Sequence, residues 1–137
     1  MMTKTLITSF IFVSIIFLII DVIWLSITVK SLYRPELGSL LTDKPVMWAA
    51  ALFYIIYTVS LAIIILQPAI ANDSIFQAFW TGIVFGVVTY GTYNLTNMAT
   101  IKDWSPTIVF VDMLWGGCLT GFSSAAGIYL SKIFFSN

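Results

Sequence analysis

The sequence has no histidine, a single cysteine and very few charged residues. Only 9% of its 137 residues are Asp, Glu, Lys or Arg, whereas soluble domains carry roughly 25%. The missing histidine excludes histidine-ligated haem or zinc sites and histidine general bases, and the lone Cys118 excludes a disulfide framework. Six basic residues balance six acidic ones. We therefore predict a chain without a cofactor, a metal site or a nucleic-acid partner.

Apolar residues are abundant instead. Hydrophobic residues make up 60% of the chain, and its mean hydropathy is +1.02. A water-facing surface cannot be built from this composition, so the sequence predicts an integral membrane protein surrounded by lipid. The length fits one compact bundle, and we predict a single transmembrane domain over residues 1–137.

Four stretches of the chain are apolar and long enough to cross a membrane. A helix needs ~20 residues to span ~30 Å of hydrocarbon, and the four stretches cover about residues 6–29, 46–66, 75–97 and 106–135. Helix-starting residues stand before the last three: Thr42, Asp43 and Pro45, then Asn72, Asp73 and Ser74, then Ser105 and Pro106. The first stretch is too long for a signal peptide and contains Asp21, so we expect it to be retained. We predict an all-α integral membrane protein, an up-down bundle of four transmembrane helices.

Basic residues are distributed unequally between the two ends of this bundle. The loops after the first and third helices carry Lys30, Arg34, Lys44 and Lys102, and the opposite end carries Lys4 and Lys132. The positive-inside rule therefore predicts that both loops are cytoplasmic and that both termini lie outside.

Four polar residues are predicted at one depth in the bundle: Asp21, Tyr54, Tyr90 and Asp112. Each lies about 10–12 Å from one end of its helix at 1.5 Å per residue. Up-down connectivity places those four helix ends on the same side of the membrane. Each residue also lies on the polar side of its helix, which lipid cannot solvate, so the four polar sides are predicted to face one another.

A polar site of nine residues follows from this layer. The predicted ligand-binding residues are Asp21, Trp24, Tyr54, Tyr90, Tyr93, Asn94, Asn97, Asp112 and Trp115. An ionisable side chain inside a span costs ~2.5–3.5 kcal/mol on insertion scales, and no basic residue is predicted at the depth of the aspartates. The carboxylates can be protonated, hydrogen-bonded by the neighbouring polar groups, or bound to a proton, a cation or a cationic head group. A purely structural network is the simpler alternative.

Small residues predict close helix contacts at two positions. Gly82–Gly86 and Gly117–Gly121 are both GxxxG patterns, which let helix backbones approach one another. The pattern does not specify the partner, so it is compatible with pairing inside the chain and with a homodimer.

The segments "DVIW", "YGTYNLTN" and "DMLWGG" resemble the family known as domain of unknown function 2177, a group of small bacterial membrane proteins. The resemblance covers nearly the whole chain, and its most specific part is the eight-residue run that begins at Tyr90. It implies a multi-pass protein of the bacterial inner membrane. It implies no activity, substrate or catalytic residue.

Three functions are compatible with these observations. The favoured hypothesis is binding or transport of a small, cationic or proton-coupled substrate, and it predicts a dimer or larger oligomer because four helices rarely enclose a pathway. The second is an intramembrane enzyme in which two carboxylates act on a lipid or isoprenoid substrate. The third is a structural or accessory subunit. Membrane lipid is the expected surrounding partner in all three.

Overall fold

Residues 1–135, which the computed structural model describes, form four long helices and no strand. The helices are α1 (Met2–Leu40), α2 (Met47–Ala71), α3 (Ile75–Thr100) and α4 (Pro106–Phe135). All four are long and apolar enough to cross a membrane. The predicted all-α bundle of four transmembrane helices is therefore confirmed.

Helices α1 and α2 both continue through a proline. Pro35 follows the π-helical turn Val29–Tyr33, and Pro68 follows the π-helical turn Ala62–Leu66. A proline has no N–H group, and its ring crowds the carbonyl four residues earlier. A wider π turn accommodates that carbonyl, so each helix continues where an ordinary α-helix would end. Consequently α1 extends well beyond its predicted end at residue 29.

Serine residues begin the third and fourth helices, as predicted. The Ser74 hydroxyl accepts a hydrogen bond from the Gln77 N–H group at 3.1 Å. The Ser105 hydroxyl accepts one from the Ile108 N–H group at 3.3 Å. Each contact satisfies a backbone donor that has no partner within the helix.

Asp73 does not cap α3 but forms an ion pair. Its carboxylate accepts a hydrogen bond from the Lys132 ammonium of α4. The lysine holds the pKa of Asp73 below its ordinary value through that hydrogen bond and through charge attraction. Because the Asp73 side chain is fully exposed, water and salt screen the pair and it stabilises the fold little.

The first half of α2 stands away from the bundle. Every side chain over residues 46–53 is exposed. The helix begins at Met47 without a side-chain cap, so the predicted capping role of Thr42 or Asp43 is wrong and Pro45 lies before the first turn. Only the second half of α2 contributes to the core.

Helices α3 and α4 contact each other backbone to backbone. A Cβ atom added to Gly86 would lie 2.1 Å from the Gly116 carbonyl oxygen, and one added to Gly82 would lie 2.9 Å from the Gly121 Cα. The two GxxxG patterns therefore face each other within the chain. The contact is intramolecular, which leaves neither pattern free to pair with a second copy.

Helix α4 also packs closely against α1, so it occupies the centre of the bundle. A Cβ atom added to Gly127 would lie 2.2 Å from Val13 Cγ2 and 3.0 Å from the Val13 nitrogen. The apolar core lies below the predicted polar layer and includes Phe17 of α1, Leu61 of α2 and Leu119 of α4. This core separates the polar layer from the end of the bundle that carries the termini.

Candidate functional site

Six of the nine predicted residues line a single cavity. The cavity has a volume of about 450 Å³, which is within the range of small-molecule sites. It lies between the second half of α1, α3 and α4, beside the loop that joins α1 to α2. The six residues are Asp21, Trp24, Tyr90, Tyr93, Asp112 and Trp115.

The other three predicted residues do not line this cavity. Asn94 is fully buried and contacts Asp112. Asn97 lies one turn farther along α3 and forms a side-chain hydrogen bond with Tyr93, which lines the cavity. The Tyr54 hydroxyl donates to the Ser14 carbonyl of α1, and Ser14 lies two helical turns from Asp21, about 10 Å deeper in the bundle. The structure therefore brings eight of the nine residues together, with Asn94 and Asn97 behind the cavity wall in contact with Asp112 and Tyr93, and places Tyr54 elsewhere.

Asp112 is held by two donors, one on each carboxylate oxygen. The Tyr33 hydroxyl donates to Oδ1 at 2.6 Å. The Asn94 side-chain amide donates to Oδ2, also at 2.6 Å. An ionised carboxylate only accepts hydrogen bonds, so this arrangement matches a carboxylate whose position is set by the protein.

Asp21 has a different environment, because the protein occupies only one of its oxygens. The Trp115 indole N–H donates to Oδ1 at 3.1 Å. Within residues 1–135, no side chain donates to Oδ2. In the same part of the chain, no lysine or arginine forms an ion pair with Asp21 or Asp112. Asp21 thus retains a free acceptor in a cavity that it helps to line.

The two tryptophans stack on each other, and each is hydrogen-bonded, directly or through Tyr33, to the aspartate of the other helix. The rings of Trp24 and Trp115 stack with centroids 4.1 Å apart and an interplanar angle of 9°. Trp115 of α4 donates directly to Asp21 of α1, while the Trp24 N–H donates at 3.3 Å to the Tyr33 hydroxyl, which in turn donates to Asp112. Each helix therefore supplies an Asp-x-x-Trp segment whose tryptophan supports the aspartate of the other helix.

Tyr33 is a site residue that the sequence did not predict, although it donates a hydrogen bond to Asp112. The sequence predicted that the first helix ends at residue 29, which left Tyr33 in a loop. On a regular α-helix, moreover, Tyr33 would lie roughly 180° around the axis from Trp24, nine residues earlier. The π-helical turn Val29–Tyr33 changes that rotation, so regular spacing contains no signal for this contact.

Tyr90 lies directly on a glycine of α4. A Cβ atom added to Gly116 would lie 2.2 Å from Tyr90 Cγ. A side chain at position 116 would therefore displace the tyrosine ring. The glycine sets the position of Tyr90, and no protein group within the described residues forms a hydrogen bond with the Tyr90 hydroxyl.

The C-terminal extension of α1 forms the outer wall of the cavity. Two contacts fasten it to α4: Tyr33 donates to Asp112, and the Ser105 hydroxyl donates to Glu36 at 2.5 Å. The wall includes Arg34, which brings a positive charge to the mouth of the cavity. The cavity is therefore polar at the mouth and at the aspartates, and mainly apolar between them.

A second cavity adjoins the first. It has a volume of about 470 Å³ and is lined by Phe53, Thr89, Tyr90, Tyr93 and Asp112. The last three residues also line the first cavity. Phe53 and Tyr93 are 53% and 58% exposed, so this side chamber opens toward the lipid between α2 and α3.

The site contains no recognisable metal centre. Over residues 1–135, no group of three or more His, Cys, Asp or Glu side chains is placed to hold a metal ion. The polar side chains that line the cavity are three carboxylates, the Arg34 guanidinium, the Thr42 hydroxyl, phenol hydroxyls and indole N–H groups.

Removal of the Tyr33 hydroxyl tests the support of Asp112. We expect Tyr33→Phe to lower the free energy of unfolding by about 1.5–3 kcal/mol, because the lost hydrogen bond is to a charged group. Unfolding in mixed micelles, followed by circular dichroism, measures this change. Tyr129→Phe is the control, since Tyr129 is 56% exposed on α4. Equal effects of the two substitutions would contradict the assignment.

The comparisons with known proteins agree with this fold. Residues 6–129 match the family described as predicted membrane protein (DUF2177). No curated protein and no solved structure shows a significant match. The matched range contains Tyr33 and all nine predicted site residues. Because the match covers most of the sequence, the chain belongs to the DUF2177 family of predicted membrane proteins.

Proposed function

We propose that this membrane protein binds a small molecule with a cationic group in the cavity that Asp21 and Asp112 share. The observation that carries this proposal is the free oxygen of Asp21, which forms no ion pair with a lysine or arginine of the described chain, Arg34 lying at the mouth of the same cavity. An unpaired charge inside a membrane is costly. A cationic ligand would compensate that cost and contact the aromatic rings of Trp24, Trp115 and Tyr90, which favour cations.

The two aspartates have different roles in this proposal. Asp112 already accepts one hydrogen bond on each oxygen, so it sets the shape and charge of the site. Asp21 uses one oxygen for Trp115 and keeps the other for the ligand. A proton is the simplest competitor for that oxygen, which links ligand binding to pH.

The proposal extends from binding to transport, in which the bound ligand crosses the bacterial inner membrane. The cavity opens at the end of the bundle that carries the α1–α2 loop. Phe17, Leu61 and Leu119 fill the interior beyond it. Transport therefore requires either a second arrangement in which this core opens, or a pathway between copies in a homo-oligomer.

Asp21→Asn tests the proposal directly. The substitution removes the charge but keeps an acceptor for the Trp115 indole N–H group. We therefore expect the free energy of unfolding to change by less than about 1 kcal/mol. Binding of a panel of organic ammonium ions is measured by tryptophan fluorescence, and we expect the affinity to fall at least tenfold. A tenfold change in the dissociation constant corresponds to about 1.4 kcal/mol, and the attraction between two charges in a low-dielectric site is larger than that.

The matched control is Asp103→Asn, which removes an exposed carboxylate between α3 and α4. It should leave ammonium binding unchanged. Undiminished binding by the Asp21→Asn protein would refute the proposal. If neither the wild-type nor the Asp21→Asn protein binds an ammonium ion, and cells that carry Asp21→Asn keep their phenotype, the accessory role replaces the binding function.

The side chamber favours a second candidate, an enzyme that acts on a lipid or isoprenoid substrate. A chamber open toward lipid admits such a substrate, and Asp21 would act as the acid or base. Mass spectrometry of lipids incubated with the wild-type and Asp21→Asn proteins distinguishes the two functions. A product formed only by the wild-type protein would establish the enzyme.

A further inference from the structure

We infer that the ligand is an amphiphile, with a cationic head beside Asp21 and an alkyl chain in the side chamber lined by Phe53, Thr89, Tyr90, Tyr93 and Asp112. This inference rests on the proposed function and specifies its ligand class. It predicts that the ligand reaches the site sideways from the bilayer, between α2 and α3.

Continuity between the two cavities is the first argument. Both cavities include Tyr90, Tyr93 and Asp112 in their walls. Tyr90 stands at the junction, and its hydroxyl has no hydrogen-bond partner in the described protein. A head group beside Asp21 would therefore meet a second free polar group where the side chamber begins.

The chemistry of the chamber walls is the second argument. Apart from the Tyr90 hydroxyl at the junction, the polar groups of the chamber have partners inside the protein: Thr89 donates to the Phe85 carbonyl at 2.8 Å, both Asp112 oxygens accept hydrogen bonds, and Tyr93 is hydrogen-bonded to Asn97. Beyond the Tyr90 junction, the chamber presents ring faces and methyl groups. Such a surface favours an apolar occupant, because apolar burial needs no hydrogen-bond partner.

The shape of α2 is the third argument. Side chains over residues 46–53 are all exposed, since this half of the helix stands away from α3 and α4. The gap lies along α2 (Met47–Ala71), which is long and apolar enough to cross a membrane. An alkyl chain already dissolved in the bilayer can enter there without crossing water.

The experiment uses the full chain in nanodiscs of phosphatidylglycerol, which has no ammonium group. The probe is a long-chain alkylammonium ion with a photoreactive diazirine at the end of its chain. After irradiation, mass spectrometry locates the labelled residues. We expect labels on Phe53, Thr89 and Tyr93, at least tenfold above those on lipid-facing residues such as Phe110.

Two variants that add the same ring at neighbouring positions distinguish labelling of the chamber from labelling of the general lipid-facing surface. Thr89→Phe fills the chamber, whereas Val88→Phe adds the same ring to a neighbouring side chain that is 59% exposed. We expect at least a tenfold loss of chamber labelling for Thr89→Phe and little change for Val88→Phe. Circular dichroism verifies that both proteins are folded. Equal labelling of the two variants would overturn the inference.

Asp21→Asn distinguishes failure of this inference from failure of the proposed function. Chamber labels that disappear in Asp21→Asn support both. Labels at the cavity mouth that disappear in Asp21→Asn refute the chamber but retain the cation site. If the chamber is labelled equally in Asp21→Asn and in the wild-type protein, the cation site is refuted. If all lipid-facing residues are labelled to the same extent, the chamber is refuted.

The cationic head can belong to a phospholipid or to a single-chain amine. Adding phosphatidylethanolamine to the nanodiscs tests the first source, and adding an unlabelled alkylamine tests the second. Competition by either one supports the inference and identifies the source. Competition by neither, or crosslinked dimers joined through Phe53, would overturn it.

Discussion

Replacement of Asp112 by alanine is expected to destabilise the protein by about 2–5 kcal/mol. The Tyr33 hydroxyl would lose its acceptor, and the Asn94 amide would keep only the Tyr90 carbonyl of its two acceptors. Each buried N–H or O–H group without a partner costs about 1–3 kcal/mol. Asn94 is fully buried, so water cannot replace the carboxylate. Denaturant titration in mixed micelles, followed by circular dichroism, measures the loss.

An exchange of the two partners provides the control. Asn94→Asp alone places two carboxylates in contact, and Asp112→Asn alone removes the charged acceptor for both donors. The double variant Asn94→Asp/Asp112→Asn restores one acceptor opposite one amide donor. We expect it to be more stable than the sum of the single effects by about 1 kcal/mol or more, the range of coupling for contacting residues. Additive effects would show that the Asn94–Asp112 contact does not stabilise the fold.

Gly86→Ala is expected to destabilise the protein by about 3 kcal/mol or more, at the upper end of overpacking effects. The added methyl group would lie 2.1 Å from the Gly116 carbonyl oxygen. That obstacle is backbone within α4 and cannot rotate away, so α3 and α4 must separate. The same measurement of unfolding in micelles tests this prediction.

Gly91→Ala, on the same helix, is the matched control. Its methyl group would lie 2.9 Å from the terminal methyl group of Met113, which is the flexible end of a side chain. We expect a change of less than about 1 kcal/mol, because alanine also favours helix by up to ~1 kcal/mol over glycine. If Gly91→Ala costs as much as Gly86→Ala, close backbone contact is not what joins α3 to α4.

The sequence by itself determined the membrane bundle and six of the residues that line its polar cavity. Hydropathy and length predict four spans because lipid requires long apolar helices. A constant rise of 1.5 Å per residue turns sequence distance into depth, which is why Asp21, Tyr90 and Asp112 were predicted in one layer. The family was also recognisable from the sequence, since "YGTYNLTN" is a contiguous and specific segment.

Two tyrosines lie at other positions than regular, packed helices predict. The constant rise predicts Tyr54 in the polar layer, but its hydroxyl donates to the Ser14 carbonyl deeper in the bundle. The hydropathy predicts Tyr33 in a loop, but α1 continues through Pro35 by a π-helical turn and places Tyr33 beside Asp112. Rise and rotation per residue are constant only in a regular helix, and the sequence does not show how far a helix stands from its neighbours.

Only the tertiary structure decided which groups meet. In the structure the two GxxxG patterns pack against each other, and Trp24 stacks on Trp115 beside the aspartates. The side chamber opens beside α2. The tertiary structure also made the two aspartates unequal, with Asp112 hydrogen-bonded on both oxygens and Asp21 on one. The physical reason is that periodicity places a side chain on a face and at a depth, whereas hydrogen-bond partners depend on how the helices are rotated and spaced.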